Sequence, residues 1–475
     1  MNTDNKFRQP LIIVALVTGM LFAISFINYE VDFPSVNFKI RNVDIFSDIK
    51  DDQSSQPSIN KLDNVIPFEK KNNQNSEAAF GFPELLFDAL NSFSTSPANI
   101  IENTLLQQTK KISITGNVKQ LSYFYDALKN AKSKTVRVAH YGDSAIEGDY
   151  ITADIREVLQ NKFGGNGAGW LGITSQDNTF RQTTKHTFSQ DNWETAALYK
   201  SNPKNIPLGI SGEAFTPKGN AWVQYETTSF KRTLKDFSIV KLYYSNAKSS
   251  QIYYSFDGGA KQSVALKLGS SVQELILKPS SRAKSIKIEF PLADQATFYG
   301  VSLENEPGVY TDNLPLRGNT GVDLGTLQPN MLKDFGKYLD YKLIILEFGL
   351  NIAGSRQTNY DWYEKEMVKV INNLKAAFPK TSFLMISVQD KSMKKGSNFV
   401  TDPAILKLIE SQKNIARETD IAYWSLFDAM GGENSMHSWV NANPPLASAD
   451  HIHFNPTGAQ KVGNMVAEAL LEKYK

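Results

Sequence analysis

Two parts of the chain alternate short apolar runs with longer amphipathic stretches. Residues 135–141 (TVRVAHY) form a β-rich apolar run, and an amphipathic stretch follows at 150–163. Towards the C-terminus, three apolar runs alternate with three amphipathic stretches. The apolar runs are residues 341–349, 382–388 and 421–427, and the amphipathic stretches are residues 362–378, 404–418 and 457–473. The apolar runs predict buried strands and the 3.6-residue period predicts helices. Such alternation is typical of an α/β fold with a parallel sheet covered on both faces.

The segment between these two parts has a different pattern. Residues 186–308 are dominated by β-branched and aromatic runs such as IYYSF and SIKIEF, with little helical periodicity. Asp257, Gly258 and Gly259 separate two of these runs and predict a hairpin turn. We therefore expect an all-β module, a sandwich, inserted into the α/β domain.

An apolar segment near the N-terminus predicts membrane targeting. Residues 11–27 contain no charged residue, and Lys6 and Arg8 precede them. As a helix the segment would be about 25 Å long, slightly shorter than the roughly 30 Å apolar core of a bilayer. Positive charge before the segment favours a cytoplasmic N-terminus with the remainder outside. An uncleaved anchor and a signal peptide cleaved near 23–25 both fit, and the apolar residues that continue past that point favour the anchor.

These patterns divide the chain into five predicted segments. Their bounds are 1–30 for the anchor, 31–115 for a polar linker or stalk, 116–185 and 309–475 for the two parts of the α/β domain, and 186–308 for the β module. The linker is too hydrophilic to build a core of its own.

The charge balance and the lack of one residue type exclude several functions. The 475 residues carry 51 basic and 49 acidic side chains, a net charge of +2. Nucleic-acid binding would require a basic surplus or a basic stripe, and the sequence has neither. The chain also contains no cysteine. This excludes thiol catalysis, disulfides and cysteine zinc sites.

The stretch AHYGDSAIEGD, residues 139–149, contains the first candidate for chemistry. Ser144 and Glu147 have the spacing of a helix capping box, in which the serine only satisfies backbone amides. A serine at a strand-to-helix turn can equally be a nucleophile. It would then need a histidine base and a carboxylate that holds the histidine tautomer.

Segments near the C-terminus supply candidate partners. In ASADHIHFNPTGA, one turn of chain can bring Asp450 back to the ring of His453, whereas the adjacent His451 points away from it. A loop cap and a structural histidine are the alternatives for this pair. Asn351 follows the predicted strand 341–349, at the edge where open α/β sheets bind ligands. Its amide can donate to an oxyanion or simply stabilise a turn.

In their order along the chain, these motifs resemble a known family. The four blocks of the SGNH (GDSL-type) hydrolases are similar to Gly142-Asp143-Ser144, the glycine block 314–324, Gly349-x-Asn351 and Asp450-x-x-His453. The resemblance implies a three-layer α/β/α, flavodoxin-like domain with a parallel sheet.

The resemblance also implies roles for individual residues. Ser144 would be the nucleophile, His453 the base and Asp450 its partner. The oxyanion hole would comprise the backbone N–H groups of Ser144 and Gly318 and the side chain of Asn351. Gly321 is the alternative glycine in its block. The family requires neither a metal nor a cofactor.

Three longer stretches, residues 140–170, 299–309 and 430–454, together with the β insertion, resemble the envelope branch of this family. That branch includes peptidoglycan O-acetylesterases with a carbohydrate-binding-like β module after the first block. This likeness implies a serine esterase that removes small acyl groups, above all O-acetyl groups, from an envelope polysaccharide. An O-acyltransferase with the same triad and an inactive glycan-binding protein are the alternatives. We expect acylated polysaccharide and a membrane as partners, without nucleic acid. The catalytic domain would lie in the periplasm or outside the cell, tethered by residues 11–27, or would be secreted if that segment is cleaved.

Overall fold

The computed structural model describes residues 30–33, 38–41, 111–174, 181–200, 202–292, 296–305, 307–354 and 359–474. The predicted anchor at 11–27 and most of the predicted linker lie outside these residues, so both stay predictions. None of the described helices combines the length and apolar character that crossing a bilayer requires. The chain divides into two units, Met1–Phe93 and Ser94–Lys475. In the first, strands β1 (Glu30–Phe33) and β2 (Phe38–Arg41) pair antiparallel.

The second unit contains all the other described helices and strands. Its first strands are β3 (Thr115–Gly116), β4 (Val136–Gly142), β5 (Gly169–Leu171), β6 (Thr184–Phe188), β7 (Trp193–Ala197), β8 (Glu213–Pro217), β9 (Trp222–Thr227), β10 (Ile239–Ser245), β11 (Gln251–Phe256) and β12 (Gln262–Ala265). The later strands are β13 (Gln273–Leu277), β14 (Ser285–Leu292), β15 (Thr297–Glu304), β16 (Val309–Pro315), β17 (Tyr341–Glu347), β18 (Ser382–Ile386), β19 (Ser392–Lys395), β20 (Asn398–Thr401) and β21 (Ala422–Trp424). The helices are α1 (Ser122–Leu128), α2 (Tyr150–Phe163), α3 (Pro329–Leu339), α4 (Asp361–Ala377), α5 (Pro403–Glu418), α6 (Leu426–Met430), α7 (Ser435–Val440) and α8 (Pro456–Glu472).

A six-stranded sheet in the order β16-β4-β17-β18-β21-β3 forms the centre of this unit. Its first five strands are parallel, and β3 pairs antiparallel at one edge. Successive side chains of a strand point to opposite faces. In β17, Leu343 and Ile345 enter one apolar cluster while Ile344 and Leu346 enter the other. Both faces are thus buried, which is why these strands are continuous apolar runs.

Helices cover the two faces and complete a three-layer arrangement. Phe335 of α3, Met367 of α4 and Leu408 of α5 pack on one face of the sheet. Phe124 of α1 and Ile155 of α2 pack on the other, together with α8. The predicted α/β class with a covered parallel sheet is confirmed.

Two antiparallel sheets account for the β-rich middle of the chain. One has the order β13-β10-β15-β8-β7, with β5 also paired to β15, and the other has the order β12-β11-β14-β9-β6. They share an apolar cluster that includes Phe215, Val223 and Ile288. β5 precedes the predicted boundary at 185 yet pairs in this region. The division of the chain at 185 and 308, and the status of these sheets as an inserted module, stay predictions.

Two local details show how well the sequence patterns predict a turn and the end of a strand. Asp257 and Gly258 adopt positive φ angles of 50° and 69° between the paired strands β11 and β12, as a tight hairpin requires. The predicted strand 421–427 is wrong in its second half. Strand β21 ends at Trp424, and the Ser425 side chain accepts a hydrogen bond from the Asp428 N–H, which starts helix α6.

Candidate active site

Ser144 lies at the turn that follows β4, at the carboxyl edge of the parallel sheet. Asp143, not Ser144, is the cap residue, because its carboxylate accepts the Ala145 N–H at 3.0 Å. The segment Ser144–Asp149 is a short 3-10 turn that is broken at Gly148, where φ is 74°, and α2 begins only at Tyr150. The capping-box hypothesis is therefore wrong. Ser144 is the first residue of a kinked turn and does not cap the long helix.

The structure brings three of the predicted side chains into one chain of contacts. Ser144 Oγ lies 3.5 Å from His453 Nε2, and His453 Nδ1 lies 2.7 Å from Asp450 Oδ2. An ionised carboxylate only accepts, so Nδ1 carries the proton and Nε2 presents its lone pair to the serine. The distance to Ser144 is at the upper limit of a hydrogen bond, as is common before substrate binds.

Backbone contacts hold the Asp450 carboxylate in place. Its Oδ1 accepts the N–H groups of Ile452 and His453 at 2.9 and 3.0 Å. Partial burial raises the pKa of Asp450, but the bonds from the His453 side chain and the two N–H groups outweigh it and lower the pKa below its usual value. The group is therefore ionised at neutral pH. His451, the alternative histidine, stacks instead on Phe399 with ring centroids 3.7 Å apart.

The predicted oxyanion residues meet around one loop. The Asn351 side chain donates from Nδ2 to the carbonyl of Asn319 at 2.8 Å, which links the third block to the second. The N–H of Gly321 donates to Asn319 Oδ1 at 2.7 Å, so this N–H is already engaged in a hydrogen bond within the protein. The N–H of Gly318 makes no hydrogen bond with the described residues. This difference favours Gly318 over Gly321, while the role of either as an oxyanion donor stays a proposal.

Asp143 ties the serine turn to the Asn351 loop. Its buried carboxyl accepts the Ala145 N–H and lies close to the backbone N–H groups of Gly349 and Leu350. Burial, and to a lesser extent the nearby Glu347, raise the pKa of Asp143 and the three N–H groups lower it, and the balance of these effects places the pKa at about 7. The two loops that flank the nucleophile are thus fixed through one side chain.

Sequence reasoning missed a buried polar network behind the serine turn. Glu347 Oε2 lies 2.9 Å from His140 Nε2, and His140 Nδ1 lies 2.9 Å from Thr152 Oγ1. The Thr152 hydroxyl donates to Asn313, whose amide donates to the Ile146 carbonyl within the turn. A glutamate and a histidine inside two apolar strands were the signal that could have revealed it, because buried polar residues are paired.

Ser144 and His453 line an open pocket with Arg317, Gln389 and Phe454, which we call the nucleophile pocket. It encloses ≈ 690 Å³ including its mouth. No group of three or more histidine, aspartate or glutamate side chains in the described part of the chain is arranged to hold a metal ion. The expectation that the reaction needs no metal or cofactor stays a prediction.

Comparison with known proteins identifies the fold. No family model and no curated protein sequence matches the chain. A solved structure of a peptidoglycan O-acetylesterase is similar over 76% of this chain and 98% of its own, with 18% identity and a TM-score of 0.62. A family two carbohydrate esterase from Cellvibrio japonicus is also similar to this chain, with 9% identity over 59% of this chain and 97% of its own. Its TM-score of 0.26 is too low to support an argument. The first likeness and the ordered motifs agree, and the chain has the fold of the SGNH-type esterases.

Proposed function

We propose that this protein is a serine esterase that hydrolyses small acyl esters, chiefly O-acetyl esters, on peptidoglycan or another envelope polysaccharide. The observation that carries the proposal is the line of contacts from Ser144 through His453 to Asp450, beside an open pocket. The fold shared with a peptidoglycan O-acetylesterase supports the choice of substrate class.

The chemistry follows from the positions of these groups. His453 Nε2 takes the Ser144 proton as Oγ attacks the ester carbonyl, and the ionised Asp450 stabilises the imidazolium that results. The Ser144 and Gly318 N–H groups and the Asn351 amide hold the oxyanion of the tetrahedral intermediate. The imidazolium then protonates the departing alcohol. Water, activated by the same histidine, releases the acyl group from the serine.

The proposed location rests on the sequence alone. The apolar residues 11–27, with basic residues before them, would anchor the chain and expose the catalytic unit outside the cytoplasm. Cleavage of this segment would release the protein instead. Either outcome would bring the enzyme to an envelope polysaccharide.

The test compares the full-length chain with Ser144→Ala and His453→Ala on 4-nitrophenyl acetate and on O-acetylated peptidoglycan. Loss of the nucleophile or the base should reduce turnover by at least about a thousandfold. Equal turnover in all three proteins would refute the mechanism. Absence of activity in the wild type, with glycan binding indifferent to Ser144→Ala, would favour the inactive binding protein.

Acyl transfer is the second candidate. The His453 side chain is 47% exposed, so a sugar hydroxyl can approach the acylated serine as readily as water can. Incubation with an acetyl donor and non-acetylated glycan distinguishes the two reactions. Acetylated glycan should accumulate if the protein is a transferase, and only free acetate should appear if it is an esterase.

A further inference from the structure

A small hairpin lies against the loop 450–453, which carries two of the proposed catalytic side chains. The hairpin, residues 392–401, consists of the antiparallel strands β19 and β20 and follows β18 in the chain. At its start, the Ser392 N–H donates to the His451 carbonyl at 3.1 Å. In its second strand, Phe399 stacks on the His451 ring, with centroids 3.7 Å apart and planes 8° from parallel. One residue of the loop is therefore held through both its backbone and its side chain.

The backbone of His451 has an uncommon conformation. Its φ angle is 59°, in the left-handed region that residues with a side chain seldom adopt. Such a conformation persists only where the surrounding structure imposes it. The turn that it produces separates the two sides of the loop. Asp450 and His453 contact each other on the side of Ser144, whereas the His451 ring contacts Phe399.

Stacking, and not a hydrogen bond through Nδ1, holds the ring of His451. The residue is only 6% exposed, and its Nδ1 has no hydrogen-bond partner among the described residues. Burial and the nearby His437 lower the pKa of His451, and the opposite effect of Asp450 does not offset them. The ring is therefore uncharged at neutral pH. A charged ring at this position would compete with His453 for the Asp450 carboxylate.

A buried carboxylate fixes the hairpin itself. Asp390 is fully buried and accepts the Thr401 hydroxyl and the Met436 N–H, each at 2.8 Å. These two bonds connect the end of the hairpin to helix α7. The His437 ring of the same helix lies nearly parallel to that of His451, with centroids 5.3 Å apart. The hairpin and α7 thus form one frame around the His451 ring.

We propose that Phe399 is a positioning residue, which acts through His451 to keep His453 Nε2 within reach of Ser144 Oγ. The inference rests on the proposed esterase function and goes beyond it, because Phe399 belongs to none of the four motifs. Phe399 is also absent from the lining that the described residues give to the nucleophile pocket. Its loss should therefore affect the chemical step and not the binding of a small ester.

The geometry indicates why this contact matters. The distance from Ser144 Oγ to His453 Nε2 is 3.5 Å, already at the upper limit of a hydrogen bond. A small further displacement of the imidazole would remove the contact through which it takes the serine proton. Displacements of this size reduce the rate of the chemical step strongly.

The first test measures full-length Phe399→Ala on 4-nitrophenyl acetate. Its kcat should fall about tenfold or more while KM stays within about twofold, because the base moves and the pocket lining does not change. Phe399→Tyr retains the stacked ring and should restore most of kcat. Phe188→Ala is the matched control. It removes another half-buried phenylalanine that packs on a buried histidine, His186 of β6, with ring centroids 5.6 Å apart, and should leave kcat unchanged.

A double-mutant cycle tests whether the effect passes through His451. His451→Asn removes the ring, and asparagine tolerates the left-handed conformation. In that background, Phe399→Ala should cause no further loss of kcat, because the two rings act as one contact. Fully additive losses would overturn the proposed route. The positioning role itself would be overturned by a wild-type kcat in Phe399→Ala, by a loss that appears in KM alone, or by an equal loss in Phe188→Ala.

A second measurement does not depend on activity. Imidazole nitrogen chemical shifts of the full-length chain report the tautomer of His453, and His453→Gln assigns its signals. The Nδ1–H tautomer should dominate in the wild type and in Phe188→Ala, whereas Phe399→Ala should show a mixture. If the wild type hydrolyses no ester, the esterase proposal fails and this measurement alone decides the positioning role. An unchanged tautomer in Phe399→Ala would then refute it.

Discussion

At the residue scale, the proposed reactivity of Ser144 depends on the two side chains behind it. A serine hydroxyl is a weak nucleophile at neutral pH, and a neighbouring base must take its proton during attack. His453 can do so only with its proton on Nδ1, and the Asp450 carboxylate at 2.7 Å selects that tautomer. Both side chains are about half exposed, so the ion pair contributes little to the free energy of folding. Its proposed role is to set the tautomer of the base.

This division of roles predicts the effect of Asp450→Asn. The amide would favour the wrong tautomer, so kcat on 4-nitrophenyl acetate should fall by a factor of about a thousand or more. The free energy of unfolding in urea should change by less than about 1 kcal/mol. Asp126→Asn removes a carboxylate from an exposed pair with Lys129 of the same three-residue spacing and is the control. A normal kcat in Asp450→Asn would show that another group orients the base.

Asp143 leads to a prediction about pH and stability. Its pKa is raised from 3.8 to about 7 in the folded protein, chiefly by burial. Between these values the folded chain keeps a proton that the unfolded chain has lost, so this group's stabilising contribution declines as pH rises from about 4 to about 7. Each unit of pKa difference is worth about 1.4 kcal/mol, which sets an upper limit of about 4 kcal/mol.

Asp143→Asn cannot titrate and should lack that decline. Urea unfolding at pH 4.5 and pH 7.5 measures the change for the wild type, for Asp143→Asn and for the exposed control Asp126→Asn. The difference between the two pH values should shrink only in Asp143→Asn. An identical pH dependence in all three would mean that the Asp143 carboxyl is ionised throughout this range.

At the element scale, the loop that carries His453 is held by a side chain from another segment. Gln389 follows strand β18 and donates from Nε2 to the carbonyl of Ile452, the residue before His453. The same side chain lines the nucleophile pocket and is buried. Its contact therefore positions the imidazole relative to Ser144, although Gln389 belongs to none of the four motifs.

Replacement of Gln389 by Met keeps the volume and removes the hydrogen bond. We expect kcat to fall about tenfold or more, because small displacements of a catalytic group are costly, while KM stays within about twofold. Gln120→Met is the matched control. Gln120 bonds to the Thr381 carbonyl and the Phe383 N–H at the opposite end of β18, so its loss should affect stability but not kcat. A similar kcat in both variants would make Gln389 purely structural.

Elements with strong local signals could be predicted from the sequence. The stretches 404–418 and 457–473 correspond to Pro403–Glu418 and Pro456–Glu472, with proline at the first turn and a capping Asp402 or Asn455 before it. Helix α6 was missed because its five residues are too few to show a period, and only the cap at Ser425 marks it. Apolar content alone could not distinguish it from the end of a strand.

At the scale of the whole molecule, the order of the motifs predicted which segments meet but not how. Ser144, Asn351 and His453 are far apart in sequence, and the parallel sheet brings their loops to one edge. The choice between Gly318 and Gly321 needed their hydrogen-bond partners, which no local pattern encodes. The network from Glu347 to Asn313 joins three strands and a helix, and became visible only once those elements were packed together.

The last prediction separates catalysis from location. Every proposed catalytic residue lies in the unit Ser94–Lys475, and packing contacts begin at its first described residues, where the Ile112 carbonyl accepts from Trp424 Nε1 at 2.9 Å. A chain of residues 111–475 should therefore keep kcat/KM for 4-nitrophenyl acetate within about twofold of the full chain, since it contains every proposed catalytic residue. A folded but inactive fragment would place part of the site before residue 111.

Cell fractionation then tests the proposed anchor. The full chain should sediment with membranes and the 111–475 fragment should stay in the supernatant, because the fragment lacks the proposed anchor at residues 11–27. Val17→Arg puts a charge in the middle of residues 11–27, which carries a penalty of roughly 3 kcal/mol at the centre of a bilayer, and should weaken sedimentation without changing kcat. Wild-type protein found soluble with a new N-terminus near residue 25 would instead identify a cleaved signal peptide. Glycan in the envelope would then be reached by a secreted enzyme rather than a tethered one.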